Sequence, residues 1–225
     1  HKDFGSGDLI CYHGVMDMFR NPKLAASIYA CEQEQTPVLE ITSSMDIGEH
    51  PGCNRGNIYI LSNADSVKMY KNDRFIKEYL PGMSPYKHLK HGPILIDDFI
   101  GDSFAQNERF RPKHAKEITD AMNLVERGSL NHIPKRLYLT ALKLLLIYHI
   151  DFAEVTRLYT KYIGDWGGTA TIYRFDAIKD GKVVKSVTKE PVRKIRLEAE
   201  ADHTILTEQH SYDVALVRIR AVDDH

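Results

Sequence analysis

Residues 58–76 read IYILSNADSVKMYKNDRFI, and this stretch decides the fold class of the chain. Its apolar residues fall in short runs, 58–62, 67–70 and 75–79, and the alternation in 67–70 is typical of a strand with one buried face. Asparagine and aspartate at 63–65 and 72–73 are residue types that adopt turn geometry and bond their own backbone. We therefore expect antiparallel strands joined by a hairpin turn at each of these two places.

Similar strand patterns lie on either side of this stretch. Segments 38–41 and 94–96 flank it directly, and 169–175 is followed by the turn sequence Lys179-Asp180-Gly181-Lys182 and a further run at 183–187. An Asp-Gly pair between two apolar runs is a strong signal for a hairpin. The rhythm of short strands and turns predicts a β-sandwich.

Residues 101–165 have helical periodicity instead. One helix is predicted at 112–127, and a leucine-rich one at 134–149 is apolar over most of its circumference, so we expect it to be the most buried of the group. A third begins at Asp151, with Glu154 three residues later as a capping box. Strand patterns on both sides of this block indicate a helical insertion into one β-domain.

A short apolar helix is predicted near the start of the sequence, where residues 14–29 read GVMDMFRNPKLAASIY. Pro22 suits a first helical turn, because its missing N–H is not needed there. Leu24, Ala25, Ile28 and Tyr29 then form one apolar stripe. Such a stripe needs a partner layer.

These features resemble glycoside hydrolase family 2, the β-galactosidase and β-glucuronidase family. Gly14, Arg20, Pro22 and Lys23 are similar to the loop and final helix of its catalytic barrel. Residues 58–76 resemble the immunoglobulin-like domain that follows the barrel, although this chain has Asp73 where the family usually has glycine. Residues 173–184 resemble the closing hairpin of that domain.

The resemblance implies a mainly β fold, an immunoglobulin-like β-sandwich with a three-helix insertion, preceded by the last loop and helix of a (β/α)8 barrel. In this interpretation 1–34 is the end of the barrel and 101–165 the insertion. The sandwich comprises 35–100 and 166–190, and 191–225 supplies the first strands of a further immunoglobulin-like domain. Two strands are too few for a stable sandwich, and the helix at 24–29 lacks the rest of the barrel, so we expect the chain to be incomplete at both ends.

The resemblance also implies hydrolysis of β-linked sugars with retention, which requires two carboxyl groups about 5–5.5 Å apart. In the family both glutamates lie on earlier barrel strands. We therefore expect no catalytic residue in this chain, no cofactor, and no activity in the chain by itself. It would be a C-terminal accessory region whose carbohydrate substrate is bound through the parent's barrel. Glu32, Glu34 and Glu40 are expected to be solvated surface residues.

Substrate contacts are expected in the loop before Gly14, because loops that follow barrel strands form the active-site face. The candidates are Phe4, Asp8, Tyr12 and His13. In β-glucuronidases the three positions before this glycine are an asparagine and two lysines, which bind the sugar carboxylate. Here they are Cys11, Tyr12 and His13, which supply no fixed cation. The resemblance thus implies a neutral substrate such as a β-galactoside, while a structural role stays open for each candidate.

Composition excludes several other classes of function. The chain has 225 residues, 43% of them hydrophobic, and a formal net charge of -1, which gives no long-range field to recruit nucleic acid or an anionic membrane. The apolar run 137–150 is too short for a membrane span. Three cysteines without metal-type spacing predict free thiols in a reducing compartment, which favours a cytoplasmic location. His88 and His91 have no neighbouring carboxylate or thiol, so no metal site is expected.

Two alternatives stay open. A non-catalytic carbohydrate-binding or protein-interaction module built of immunoglobulin-like domains would explain the strands, but it would not explain residues 14–29. The helical insertion could also mediate assembly into a homo-oligomer.

Overall fold

The computed structural model describes residues 13–17, 20–45, 54–128, 151–164, 171–190, 194–207 and 213–222, together with positions 135, 139, 142, 143 and 146. The chain divides into two compact units, residues 1–190 and 191–225. The described part is mainly β, with antiparallel sheets and a few helices. None of its helices is both long and apolar enough to cross a membrane.

The first sheet of the larger unit has three antiparallel strands in the order β1-β2-β5. They are β1 (Leu39–Ile41), β2 (Tyr59–Ser62) and β5 (Ile94–Leu95). Ile60 lies opposite Ile41 on one side and Ile94 on the other, and all three side chains are buried. β-branched residues pack well on such a pleated surface, so this row forms the inner face of the sheet.

The second sheet has four antiparallel strands in the order β4-β3-β6-β7. They are β3 (Ser66–Lys71), β4 (Arg74–Tyr79), β6 (Tyr173–Lys179) and β7 (Lys182–Lys189). β3 pairs with β6 from Ser66 opposite Ile178 to Lys71 opposite Tyr173. Segments on either side of the helical block therefore lie in one sheet.

Two-residue turns close both hairpins of this sheet, as the sequence predicts. Asn72 and Asp73 have φ of 49° and 60°, and Asp180 and Gly181 have φ of 52° and 72°. Positive φ at both central residues is the turn geometry that matches the twist of paired strands. Asp73 adopts it without glycine, which asparagine and aspartate tolerate better than other residues.

The connection 63–65 is not the hairpin turn that the sequence suggested, because β2 and β3 belong to different sheets. Asn63 is 3% exposed and uses its side chain for long-range bonds. Its amide oxygen accepts from the N–H of Val38 at 2.8 Å, and its nitrogen donates to the carbonyl oxygens of Gln33 and Thr36 at 2.7 and 2.9 Å. The residue therefore fixes the segment before β1 while the chain passes from one sheet to the other.

The described helices are α1 (Leu24–Ala30), α2 (Ser103–Asn107), α3 (Pro112–Arg127) and α4 (Phe152–Tyr162), with a short 3-10 turn at Pro81–Met83. α3 has the predicted bounds. At the start of α4 the carboxylate of Asp151 accepts from the N–H of Glu154 at 2.8 Å, which confirms Asp151 as the predicted N-cap. The carboxylate of Glu154, which a capping box would direct back to Asp151, accepts from Arg157 at 2.7 Å. The sequence did not predict α2, because five residues are too few to show periodicity.

Most of the predicted helix 134–149 lies outside the described residues. The described positions within it are helical, but Leu139, Leu142 and Leu146 are 53–68% exposed. The expectation that this helix is the most buried is therefore wrong for these three leucines. Among the described positions, Lys143 forms an ion pair with Glu117 on α3 at 2.5 Å.

Sheets and helices of the larger unit share one hydrophobic core, an arrangement consistent with a β-sandwich that has helices packed on it. β7 lies beside β1, where the Nζ of Lys189 is 3.8 Å from the Oε1 of Glu40. Fully buried side chains of the core come from both sheets and from the helices and their connections: Ile41, Ile60, Met69, Phe99, Phe104, Leu158, Tyr173 and Phe175.

A buried ion pair connects the helices to the segment before β2. Arg55 donates from Nη1 to the Oε1 of Glu126 at 2.7 Å, and their side chains are 1% and 0% exposed. Tyr159 on α4 donates its hydroxyl to the other oxygen of Glu126 at 2.7 Å. The guanidinium also lies 5.3 Å from the ring centre of Tyr173. One carboxylate thus joins α3, α4 and the sheet region.

In the smaller unit, β8 (Arg196–Ala201) and β9 (Val217–Val222) form the predicted antiparallel pair. One face carries small and aliphatic side chains, with Ala199 opposite Ile219. The other carries charges, with Glu198 opposite Arg220. Both strands are largely exposed, and within the described residues of this unit no further element covers the apolar face of the pair.

Candidate functional site

Three predicted substrate-loop residues, Phe4, Asp8 and Tyr12, lie outside the described residues, so their roles stay predictions. The fourth, His13, is exposed. It precedes a tight loop in which Met16 forms a β-bridge with Pro22 and the N–H of Lys23 donates to the carbonyl oxygen of Val15 at 2.9 Å. This loop sets the direction in which the chain enters α1.

The three-stranded sheet has an outer face opposite the core, and α1 lies over it. Along β2 the side chain of Ile60 points into the core, so Tyr59 and Leu61 point to the other side. α1 and the loop 81–93 border this outer face and leave a groove of about 470 Å³ between them. We call it the α1 groove; its lining residues are Leu24, Ala25, Ile28, Thr42, Tyr59, Leu61, Tyr86, Leu89 and Pro93.

The stripe predicted on α1 therefore has a partner layer, but only a partial one. Leu24 is 49% exposed and Ile28 37%, and Tyr29 beside them is 72% exposed. Apart from the hydroxyls of one threonine and two tyrosines, the groove is lined by apolar side chains. Thr42 already uses its hydroxyl to accept from the N–H of Tyr59 at 2.9 Å. Sugars need several hydrogen bonds, so this surface suits protein better than carbohydrate.

Glu34, four residues after α1 ends, anchors this region to the sheets. Its Oε2 accepts from the Nζ of Lys179 at 2.8 Å, while its Oε1 accepts from the Nζ of Lys90 and lies 3.2 Å from the Nε2 of His91. Hydrogen bonds from Lys179, Lys90 and His91 lower the pKa of Glu34 to about 2. One carboxylate thereby holds the chain after α1 against the loop 81–93 and the end of β6.

Sequence reasoning missed this cluster, because it expected Glu34 to be an ordinary solvated residue. The side chain is indeed 47% exposed, yet it has three partners. Lys90 and Lys179 are 56 and 145 residues away along the chain, so no local pattern could have shown the contacts. Within the described residues, no group of three histidine, cysteine or acidic side chains could hold a metal ion.

Comparison with known proteins identifies one related group. No protein-family model matches the chain. It is 41% identical over 100 residues to a protein named beta-galactosidase from Thermoanaerobacterium thermosulfurigenes, a match that covers 43% of this chain and 14% of the relative. It is 39% identical over 94 residues to a beta-galactosidase from Thermoanaerobacter pseudethanolicus, covering 40% and 12%. The matched parts thus span about one seventh or less of either relative's length, and the chain contains a β-galactosidase-related region.

Proposed function

We propose that this chain is a C-terminal accessory region of a retaining β-glycosidase of glycoside hydrolase family 2. The parent enzyme hydrolyses a neutral, β-galactoside-like substrate, and both catalytic glutamates belong to its barrel, outside this chain. α1 is the last barrel helix, the two sheets form an immunoglobulin-like sandwich with a helical insertion, and 191–225 begins a further domain of that kind. The accessory region supports the barrel and the rim of its active site.

The α1 groove is the observation that carries this proposal. α1 is fixed at its C-terminal side through Glu34, while its apolar stripe stays half-exposed beside a further apolar surface on the sheet. A groove of this composition is suited to burial against more protein. The similarity to part of two beta-galactosidases supports the proposal that the partner of the groove is the catalytic barrel of the same polypeptide.

Burial of a leucine side chain contributes about 1.5–3 kcal/mol, so the groove residues could account for a substantial part of the docking free energy. An aspartate in the same place would leave an unpaired charge in an apolar interface, which costs considerably more than the loss of the leucine alone. The chain by itself should tolerate that change, because Leu24 is already half in solvent.

The test compares two substitutions in the intact enzyme that contains this sequence. Leu24→Asp removes an apolar groove residue, and Leu80→Asp is the matched control, since Leu80 is 46% exposed but does not line the groove. We expect Leu24→Asp to lower the midpoint of thermal inactivation of aryl β-galactoside hydrolysis by several degrees and Leu80→Asp to have little effect. Equal effects of the two substitutions would contradict a docking role for the groove.

Activity and binding of the 225-residue chain test the other half of the proposal. We expect no hydrolysis of aryl β-galactosides by the chain alone. Turnover that a glutamate substitution within the chain abolishes would refute the assignment of catalysis to the barrel. Calorimetry with galactosides should show no binding, whereas saturable binding by the chain alone would favour the carbohydrate-binding module.

A further inference from the structure

Tyr86 lies on the loop 81–93, which borders the α1 groove, and its side chain lines the groove while it stays 44% exposed. Its hydroxyl makes no hydrogen bond within the described residues, and the same holds for the hydroxyl of Tyr59 on the sheet. Tyr86 therefore offers an aromatic ring and an unused hydrogen-bond donor at the border of a largely apolar groove.

The loop holds the backbone of Tyr86 in a fixed position. The buried hydroxyl of Ser84 accepts from the N–H of Tyr86 at 3.2 Å and donates to the carbonyl oxygen of Pro93 at 2.9 Å. The carbonyl oxygen of Tyr86 accepts from the N–H of Leu89 at 3.1 Å. Gly92 packs so closely that a Cβ there would lie 3.2 Å from the Cβ of Tyr86. The loop is thus folded back on itself around this residue.

The two borders of the groove are also tied to each other. Glu34 follows α1, and its carboxylate accepts from Lys90 and lies 3.2 Å from the Nε2 of His91, both on the loop that carries Tyr86. A groove whose borders are already fixed loses little conformational freedom when a partner docks. Tyrosine side chains have few rotatable bonds and are common among the residues that dominate the free energy of protein–protein binding.

We infer that Tyr86 is the anchor residue of the interface with the catalytic barrel, and that the barrel presents an oxygen acceptor to its hydroxyl. This inference rests on the proposed function, which makes the barrel the partner of the groove. Most of the length of the two relatives lies outside the region matched here, which leaves enough chain to cover the groove. A barrel that covers the apolar lining also removes water from the Tyr86 hydroxyl, and a buried hydroxyl without an acceptor is unfavourable.

The first measurement tests whether the barrel covers Tyr86. Tyrosines are nitrated with tetranitromethane in the 225-residue chain and in the intact enzyme that contains it, and peptide mapping reads the product, with the urea-unfolded enzyme as reference. We expect nitration of Tyr86 in the chain and its loss in the intact enzyme. Equal nitration in the two proteins would overturn the inference. Protection that appears in the chain alone as its concentration rises would also overturn it, because a second copy would then occupy the groove.

The second measurement tests the acceptor through Tyr86→Phe, which removes the hydroxyl and keeps the ring. Tyr70→Phe is the matched control, because Tyr70 is half-buried on β3, does not line the groove, and has a hydroxyl without a hydrogen bond within the described residues. In the intact enzyme we expect Tyr86→Phe to raise the rate constant of thermal inactivation about fivefold, the effect of one lost hydrogen bond, and Tyr70→Phe to leave it unchanged. Neither substitution should change the urea unfolding of the 225-residue chain.

An unchanged or lower rate of inactivation in Tyr86→Phe would overturn the inference, because it would mean that no acceptor faces the hydroxyl. An equal loss of stability in the 225-residue chain would overturn it as well, since the hydroxyl would then act within this region. Failure of the proposed function is distinguished from both results, because it requires equal effects of Leu24→Asp and Leu80→Asp in the intact enzyme.

Discussion

Replacement of the buried carboxylate Glu126 should destabilise the larger unit more than any surface charge change. Glu126→Gln keeps the shape and one acceptor but removes the charge that faces Arg55. In the native structure that carboxylate accepts from Arg55 through Nη1 at 2.7 Å and through the backbone N–H at 3.1 Å, and from the hydroxyl of Tyr159 at 2.7 Å. The amide has only one oxygen to serve these three donors.

The expected loss of stability follows from the change in the surroundings of Arg55. Arg55 is 1% exposed and would lose the negative charge of Glu126 that lies 2.7 Å from its guanidinium. Breaking a buried ion pair from one side costs about 3–5 kcal/mol. A domain of this size typically has a free energy of unfolding of about 5–15 kcal/mol, so a large share of the stability would be lost. The midpoint of thermal unfolding should fall by roughly 6–20 °C.

Urea unfolding followed by circular dichroism is the assay, with Asp120→Asn as the matched control. Asp120 lies on the same helix and forms an exposed pair with Lys116 at 3.1 Å. Such a surface pair contributes about 0.3–0.5 kcal/mol. A double variant, Arg55→Met with Glu126→Leu, should be less destabilised than the sum of the two single variants, because it removes both members of the ion pair together.

A loss below about 1 kcal/mol in Glu126→Gln, equal to that of the control, would refute this reasoning. Strict additivity in the double variant would do the same, because it would mean that the two side chains do not interact.

Three further predictions concern separate parts of the larger unit. The pKa of Glu34 is about 2 in the folded chain, against an ordinary value of 4.5. Its contribution to the stability of the fold is therefore fully present above pH 4.5 and is lost as the pH falls toward 2. The free energy of urea unfolding of Glu34→Gln should differ from that of the parent chain above pH 4.5 and converge with it near pH 2. Gly101→Ala should be more destabilising than Gly181→Ala in the same assay, because both have positive φ but only at Gly101 would a Cβ lie 2.9 Å from a backbone oxygen, that of Ile76; equal losses would show that φ alone decides. Burial raises the pKa of the Cys31 thiol to about 11, so peptide mapping after brief alkylation at pH 8 should find Cys31 unmodified in the folded chain and modified in urea.

Local patterns were sufficient to predict most of the secondary structure. α3 has a regular apolar stripe and α4 an aspartate cap, and both were found where the periodicity placed them. The turns at 72–73 and 180–181 follow from residue types that accept positive φ. In each case the deciding interactions are between residues close together in sequence.

The partition of strands between sheets could not be predicted in this way. Asn63 is a turn residue by type, yet its side chain bonds to residues 25–30 positions earlier, and the chain crosses between sheets there. Arg55 and Glu126 are 71 residues apart, and so neither can be identified as an ion-pair partner from local sequence. Leu139 was predicted to be buried but is exposed, because an apolar pattern does not show which side of a helix is covered by other residues.

The pairing of β3 with β6 has a consequence for the order in which the chain folds. Lys71 and Tyr173 are partners across about 100 residues, and closing a loop of that length costs roughly 4 kcal/mol of chain entropy. On a ribosome that adds 5–20 residues per second, β3 waits on the order of 5–20 s before β6 exists. During that interval Val67 and Met69 have only β4 beside them, and a two-stranded ribbon is marginally stable at best. Pairing of β6 with β3 in nascent chains should therefore depend on early folding of the helical block, because a folded block brings the two strands closer together.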